Sequence, residues 1–501
     1  MAERELKLLP RPGFTLGDLH GLVDGLVPGP AEVVETEATY YDTPDLRLTR
    51  AGASLRHRSD EGWVVKLPAG PATELLVRDE HRFAGPPGEP PAGAVDLVRA
   101  FVRRAPLRPV IRLRTRRRRV VLHRPDGTPA LEVTHDDVLV VDDGRITGGF
   151  REVEIEVHEG GDPHLARAVA RRLAARGGDG GGVPLPKVAR ALGFTTPPEP
   201  EVPAPGSTGA ATVAQLVQAA ITASVHRLVA HDPGVRLGGD PEFVHQARVA
   251  TRRLRSDLRT LRPVLDPTWA DRLRDELAWL GAELGVVRDT EVLLELLRGK
   301  VVDAPAEARA VGQAVVAELT AREAAQREAL RRSLRTERYL TLLDHLVEAA
   351  RNPAVLVNEA DRPAVELARL VRRPWRRLRR AVRALGPDPA DDELHRIRIL
   401  AKRARYAAEA VAPAVGEDAR RFARAVARLQ EVLGTHHDAV VARAFLAGHL
   451  SGVDRPADAW ALGLLAGMVV ADEQAARRSW PAVWGRCDRR RLRRWMRPPA
   501  P

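Results

Sequence analysis

The sequence predicts an α+β chain of two unlike parts, an antiparallel β region followed by an all-helical one. Three observations carry this. Short runs with period-two alternation crowd the first 195 residues, whereas Ala/Leu/Arg-rich segments of period three to four run from about residue 210 almost to the end. Between them lies TTPPEPEVPAPGSTG (195–209), rich in Pro, Gly and small residues, which reads as a linker over 196–209. The chain, at 501 residues, is also too long for one ordinary domain.

Taken in order, RELKLL, ATYYDT, SLRHRS, WVVKLP, ELLVRDEHRF, VIRLRTRRRRVVLHR, LEVTHDDVLVV and REVEIEVHE predict strands. DEG (60–62), PDG (125–127) and DDG (142–144) predict tight turns between them. Helices are expected near 92–104 and 163–176, and throughout the second part.

Composition narrows the classes. Aromatics make up only 4% of residues, so the cores must be aliphatic. The lone Cys487 excludes an intrachain disulfide and suits a reducing cytoplasm, which is the expected location. No apolar leader follows the first residues, and the apolar run at 461–471 is too short to cross a bilayer. Residues 1–200 carry 29 acids and 29 bases, so residues 201–501 carry the whole excess of +12. A basic helical half implies a polyanionic partner. Lysine occurs only at 7, 66, 187, 300 and 402 in a chain otherwise served by arginine. A lysine that persists there marks a place needing a compact ammonium.

In the β region the charges share parity. Glu3, Glu5 and Lys7 lie on one face of their strand, as do Arg56 and Arg58, then Arg112, Arg114 and Arg116, then Glu132 and Asp136, then Glu152, Glu154 and Glu156. One explanation is a half-exposed sheet with its polar side to water. However, acids concentrate in some strands and bases in others. That segregation favours a closed barrel with a charged interior, where carboxylates hold a divalent cation and bases grip phosphate.

ERELK (3–7), YYDTP (40–44), SLRHR (54–58), WVVKLP (63–68), EVEIEV (152–157) and PKVARAL (186–192) together resemble the CYTH family of triphosphate tunnel metalloenzymes over about residues 1–195. The resemblance implies an eight-stranded antiparallel tunnel that binds a triphosphate and Mg²⁺ or Mn²⁺. By the same resemblance, Glu3, Glu5, Glu154 and Glu156 would hold the metal. Lys7, Arg56, Arg58, Lys66, Arg114, Arg116 and Lys187 would hold the phosphates, and Glu5, Lys7, Glu154 and Glu156 would serve catalysis. Glu132, Asp136, Glu152 and Arg78 are candidates without an assigned role. Val188 stands where the family often has an aromatic residue.

The helical half contains a repeat. His245, Arg248, Arg252 and Arg255 match His395, Arg398, Lys402 and Arg405 at identical offsets, and LGVVRD (284–289) matches LGTHHD (433–438). Steps of three and four put each set on one helix face, where like charges repel. A solvated basic face, or ion pairs to aspartates such as Asp289, would offset that; so would a bound polyanion. The pattern resembles the CHAD domain over 210–495, with repeats near 210–350 and 360–495. That resemblance implies two pseudo-symmetric four-helix units and polyphosphate binding by those eight residues. Adjacent His436 and His437 point apart on a helix and make a poor metal site.

The expected protein is therefore a metal-dependent inorganic triphosphatase with a polyphosphate-binding helical domain, on polyphosphate granules or free in the cytoplasm. The alternatives are a polyphosphate grip with little turnover, and an enzyme for an organic triphosphate such as thiamine triphosphate or a nucleotide. With few aromatics to stack on bases, no specific nucleic acid is expected, and no membrane partner.

Overall fold

A computed structural model describes residues 2–69, 76–179, 181, 185–204 and 209–496; the Ala2 and Glu3 side chains lie outside the description. The chain divides into two compact units, residues 1–201 and 202–501. Part of the expected linker, 205–208, lies outside the described residues, as do Glu74 and Leu75 of an expected strand and the end of the basic tail.

The first unit is a closed barrel. Its strands are β1 (Ala2–Leu8), β2 (Val27–Pro28), β3 (Glu32–Asp42), β4 (Ser54–Arg58), β5 (Gly62–Pro68), β6 (Leu76–Phe83), β7 (Arg108–His123), β8 (Pro129–Asp142) and β9 (Arg145–Val157). Eight of them close in the order β7-β3-β4-β5-β6-β1-β9-β8, with β8 pairing back onto β7; two-residue β2 is an appendage on β7. All pairings are antiparallel. The eight long strands answer to the eight alternating runs of the sequence. All three expected turns need a left-handed glycine, Gly62 at φ 75°, Gly127 at φ 83° and Gly144 at φ 79°.

Closure gives the alternation its meaning. On β1, β8 and β9, one parity (Leu6, Leu8, Leu131, Val133, Val153, Ile155, Val157) faces outward and is buried beneath Ala166, Val169 and Leu173 of a covering helix, Pro163–Leu173. Asp162 caps that helix by accepting from His164 N, and Pro163 suits its first turn. The opposite parity, which carries the charges, is left to the lumen. The remaining helices of this unit are short: α1 (Arg47–Arg50), α2 (Ala92–Leu97), α3 (Arg99–Val102) and, after the covering helix α4, α5 (Lys187–Ala191).

At one end the lumen turns apolar. Ala38 and Tyr40 of β3, Leu113 of β7, and Val138 and Val140 of β8 form a cluster, and Val188 of α5 packs among them. The expected linker begins as part of this unit: Glu199 O accepts from Arg50, and Glu201 pairs with Arg103.

The second unit is helical: α6 (Val213–Leu237), α7 (Pro241–Leu261), α8 (Pro267–Asp303), α9 (Ala306–Ser333), α10 (Glu337–Arg351), α11 (Val357–Ala360), α12 (Arg372–Arg383), α13 (Asp391–Val415), α14 (Glu417–Leu450) and α15 (Pro456–Cys487). Side-chain caps start several of them, Thr212 for α6, Asp240 for α7 and Asp266 for α8. The repeats are joined by a common core. Leu293, Leu297 and Val301 of α8 and Val315 and Leu319 of α9 pack with Ala442 and Leu446 of α14 and Leu462, Leu465 and Val469 of α15. By length and composition α6 could cross a membrane. Here Leu216, Val217, Ile221, Val225 and Leu228 are buried within the unit.

Candidate functional site

The barrel lumen is a cavity of about 1000 Å³ with walls of opposite charge. Its acidic wall comes from three neighbouring strands. Register sets Glu132 opposite Glu156, and Glu156 opposite Glu5. Like charges directly opposite one another destabilise a sheet unless a cation compensates them. One step deeper, Lys7 stands opposite Glu154, and one step further Asp136 stands opposite Glu152.

This deeper group is tightly knit. Asp136 and Glu152 are fully buried, and with Glu154 they bring three carboxylates within 4.8 Å of one another. Lys187 Nζ lies 2.9 Å from Asp136 Oδ2, 2.8 Å from Glu152 Oε1 and 2.8 Å from Glu154 Oε2. Lys7 Nζ donates to Glu154 Oε1 at 2.5 Å and sits 3.5 Å from Glu152 and 3.7 Å from Glu5. Arg117 forks onto Asp136 at 2.8 and 2.7 Å and reaches Glu154 at 3.0 Å. Burial opposes the charges of Glu154, Asp136, Lys7, Lys187 and Arg117, and the partners overcome it. Glu154 is held well below the usual carboxylate range by Lys187, Lys7 and Arg117. Asp136 is lowered by Lys187 and Arg117. Lys7 is raised by Glu152, Glu154 and Glu5, and Lys187 by Asp136, Glu152 and Glu154.

The donor chemistry fits a hard divalent cation, since all candidate ligands are carboxylate oxygens. Both Glu152 oxygens are buried; Oε1 faces the Lys187 ammonium, while Oε2 accepts no hydrogen bond among the described residues. Elsewhere, Asp391, His436 and Glu473 also converge, with Arg477 and Arg443 donating into that group.

The basic wall comes from β4, β5, β6 and β7. Arg56 is buried and its guanidinium donates to the Tyr40 hydroxyl at 3.4 Å. Arg58 pairs with Asp60 and Glu61, and Lys66 with Glu80 at 3.2 Å. Glu80 is lowered to about 2 by Lys66 and Arg82 despite its burial. Arg78 and Arg82 also line the cavity.

Most of the expected lumen residues meet here: Glu5, Lys7, Arg56, Arg58, Lys66, Glu154, Glu156 and Lys187. Glu3 lies on β1, with its side chain outside the described residues. Arg114 and Arg116 do not belong. Both are exposed, and Arg114 pairs with Glu37 on the outer face. The lumen instead receives Leu113, Thr115, Arg117 and Arg119. The run Arg116–Arg119 carries charge at both parities, so charge could not phase the strand; Val120 and Leu122, which pack outside with the covering helix, could have. Glu61 and Glu80 were missed because carboxylates on a phosphate-binding wall were not expected.

In the helical unit the two repeats bring their stripes together. Arg248 Nη1 donates to Gly285 O at 3.0 Å and to Asp289 Oδ1 at 2.7 Å, and Arg398 approaches Asp438 at 3.9 Å. This is why each His–Arg stripe is followed some forty residues later by an LG…D segment. Across the seam, Lys402 feels Arg398 of its own helix and Arg252 and Arg248 of α7; burial and these cations pull it down to about 7. The His395 and His437 rings meet at Nδ1···Nδ1 3.0 Å, and burial with Arg398 pushes His437 down to about 4. His245 is lowered by burial and by Arg288. Arg255 and Arg405 stand apart from this convergence. Arg255 is exposed and its charge acts on Arg259, whereas Arg405 is engaged by Glu409 at 2.7 Å.

Comparison with known proteins covers both units. The CYTH domain model matches residues 1–176, and the CHAD domain model matches residues 219–447. An uncharacterised protein of Mycobacterium tuberculosis strain H37Rv is 33% identical over 443 residues, 82% of each chain. Thiamine-triphosphatase of Homo sapiens is 40% identical over 81 residues, 15% of this chain and 32% of that protein. The solved CHAD domain from the plant Ricinus communis is 26% identical with a TM-score of 0.46, covering 57% of this chain and 95% of that one.

Proposed function

The chain belongs to the CYTH–CHAD family, and from that premise we propose that its barrel hydrolyses inorganic triphosphate to pyrophosphate and phosphate while its helical unit binds polyphosphate. The observation that carries the reading is the pair of facing walls in one cavity, Glu5, Glu132 and Glu156 on one side and Arg56, Arg58 and Lys66 on the other.

A triphosphate needs cations along its whole length. Arg56, Arg58, Lys66 and Arg117 supply them as fixed donors, which stabilise charge growing on the bridging and leaving oxygens without reorganising. Bound Mg²⁺ or Mn²⁺, held by the acidic wall of Glu5, Glu154 and Glu156 with Asp136 and Glu152, would add charge neutralisation at the phosphates. Lys7 and Lys187 keep the buried carboxylates ionised and in place. The inorganic substrate is preferred to a nucleotide or thiamine ester because Tyr40 is the only Phe, Tyr or Trp among the described lining residues, and it answers to Arg56. Among the described lining residues, no stacking platform for a base or thiazolium accompanies the phosphate site. In the helical unit the converging Arg248, Arg252, Arg398 and Lys402 form a cationic seam for polyphosphate. That pairing suits a cytoplasmic protein associated with polyphosphate granules.

The test is phosphate release from inorganic triphosphate, ATP, thiamine triphosphate and long polyphosphate, with Mg²⁺, Mn²⁺ or a chelator, for wild type and Glu5→Gln. Metal-dependent turnover of inorganic triphosphate, lost on chelation and in Glu5→Gln, is expected. Faster turnover of thiamine triphosphate or ATP would replace the substrate. Binding without turnover of any of them would make the barrel a grip.

A further inference from the structure

The chain holds a second strongly basic surface that neither the barrel nor the seam uses. Helix α12 reads RRPWRRLRRAVR, seven arginines in twelve residues with no acid. Its apolar positions Trp375, Leu378 and Val382 are buried. Trp375 stacks on Trp484 with centroids 5.4 Å apart and meets Phe422 edge-on at 5.2 Å. This stripe fixes the helix's rotation, so its arginine face is held outward.

On that face Arg373, Arg376, Arg377, Arg380 and Arg383 are exposed. Asp488 serves Arg379 and Arg493 from one side, and Glu366 stands 3.9 Å from Arg369. Among the described residues, no carboxylate pairs with Arg372, Arg373, Arg376, Arg377, Arg380 or Arg383. A surface groove of about 550 Å³ is lined by Arg369, Arg372, Arg373, Arg376, Arg377 and Arg380, with Leu370 the one other lining residue. Charges at i+3 and i+4 of one sign oppose helix formation.

The bundle does not require these charges. The duplication makes α6 the counterpart of α12, since each precedes the helix bearing a His–Arg stripe. α6 has two arginines in 25 residues, and buried Arg236 is neutralised by Asp232 at 2.6 Å. The arginine face therefore belongs to the second repeat alone.

We propose that α12 is a second docking surface for linear polyphosphate, separate from the seam between α7 and α13. A row of guanidiniums spanning about 16 Å along the helix matches a linear anion with closely spaced charges, and guanidinium forks suit phosphate oxygens. Nothing on the face would read a base, because Trp375 is buried. Leu370 is the one large apolar side chain in the groove, too little to anchor the face in a lipid layer. The choice of polyphosphate rests on the reading of the seam given above.

The experiment uses the full chain with three changes at exposed positions, Arg373→Gln, Arg376→Gln and Arg377→Gln. It is compared with a seam variant carrying Arg248→Gln, Arg398→Gln and Lys402→Gln. The probes are long-chain polyphosphate, single-stranded DNA of equal charge and phosphatidylglycerol vesicles. Affinity is measured across salt concentration, with helix content by circular dichroism as the control for intact folding of the helical unit. The α12 variant should lose about tenfold in affinity for long polyphosphate, with a salt slope shallower by about two. The seam variant should retain the binding that the α12 variant loses. Wild-type affinity in the α12 variant, with binding abolished in the seam variant, would overturn the proposal and leave the seam reading standing. A loss confined to DNA or vesicles would overturn the ligand. No polyphosphate binding by the wild-type chain would overturn both readings.

Discussion

Lys187 Nζ donates to Glu154 Oε2 at 2.8 Å, joining the short helix after the barrel to the middle of its last strand. The same ammonium neutralises Asp136 and Glu152, so one side chain from α5 is the common counter-ion of three carboxylates.

Removing it leaves buried charge uncompensated. Lys187→Gln should cost about 3–5 kcal/mol in stability, the range for one partner lost from a buried ion pair. A divalent cation can repay part of that by binding the freed carboxylates. Mg²⁺ or Mn²⁺ should therefore raise the melting temperature of Lys187→Gln more than that of wild type; an equal shift would show that the cation binds elsewhere.

The phase of β7 gives a paired test. Arg117 faces the lumen and Arg114 faces solvent. Arg117→Gln should lower kcat/KM for inorganic triphosphate by about 10²-fold, as for a lost charge-stabilising donor. Arg114→Gln should change it by less than about twofold, because an exposed ion pair contributes little. Steady-state kinetics of the two variants decide it.

Acid should act on the barrel first. Glu154 and Asp136 are held below their ordinary values, and Glu80 is lowered to about 2. For an acid depressed in the folded state, the stabilisation is complete above its unfolded pKa and fades as pH falls through the folded one. Denaturation of the barrel followed at pH 7, 4 and 2.5 should show stability falling steeply below about pH 4.5. Glu154→Gln should flatten that dependence.

The seam should respond to pH in a higher range, with polyphosphate affinity and stability moving in opposite senses. Lys402, pulled down to about 7, binds fewer protons folded than unfolded between that value and the ordinary lysine range, so it makes the free protein more stable as pH rises there. A polyanion favours the ammonium, so binding takes up a proton. Affinity for polyphosphate should fall from pH 6.5 to 9 with a slope approaching about one proton, and Lys402→Arg should abolish the slope above pH 7. Calorimetry in buffers of different ionisation enthalpy measures that uptake.

Both architectures were legible in the sequence because each rests on a period. Alternation places Glu5, Lys7 and Glu154 correctly, since outward Leu6 and Ile155 leave one choice of face. It fails at Arg114 and Arg116, where consecutive arginines erase the alternation. The offsets of three and four located His245 to Arg252 and His395 to Lys402. Arg405 instead turns to Glu409, an i,i+4 partner one turn along its own helix, and Arg253 of α7 pairs to the same Glu409, a contact that no local offset shows. The convergence of Asp136, Glu152 and Lys187 depends on barrel closure and the return of α5, which no local pattern encodes.

The apolar cluster around Val188 gives the lumen one end that repels charge. Phosphate groups arriving there would shed water against Leu113, Val138 and Val140, which carries a high desolvation cost. An anion entering the barrel would therefore rest against the charged walls and stop short of this apolar end. Val188→Asp would breach that stop.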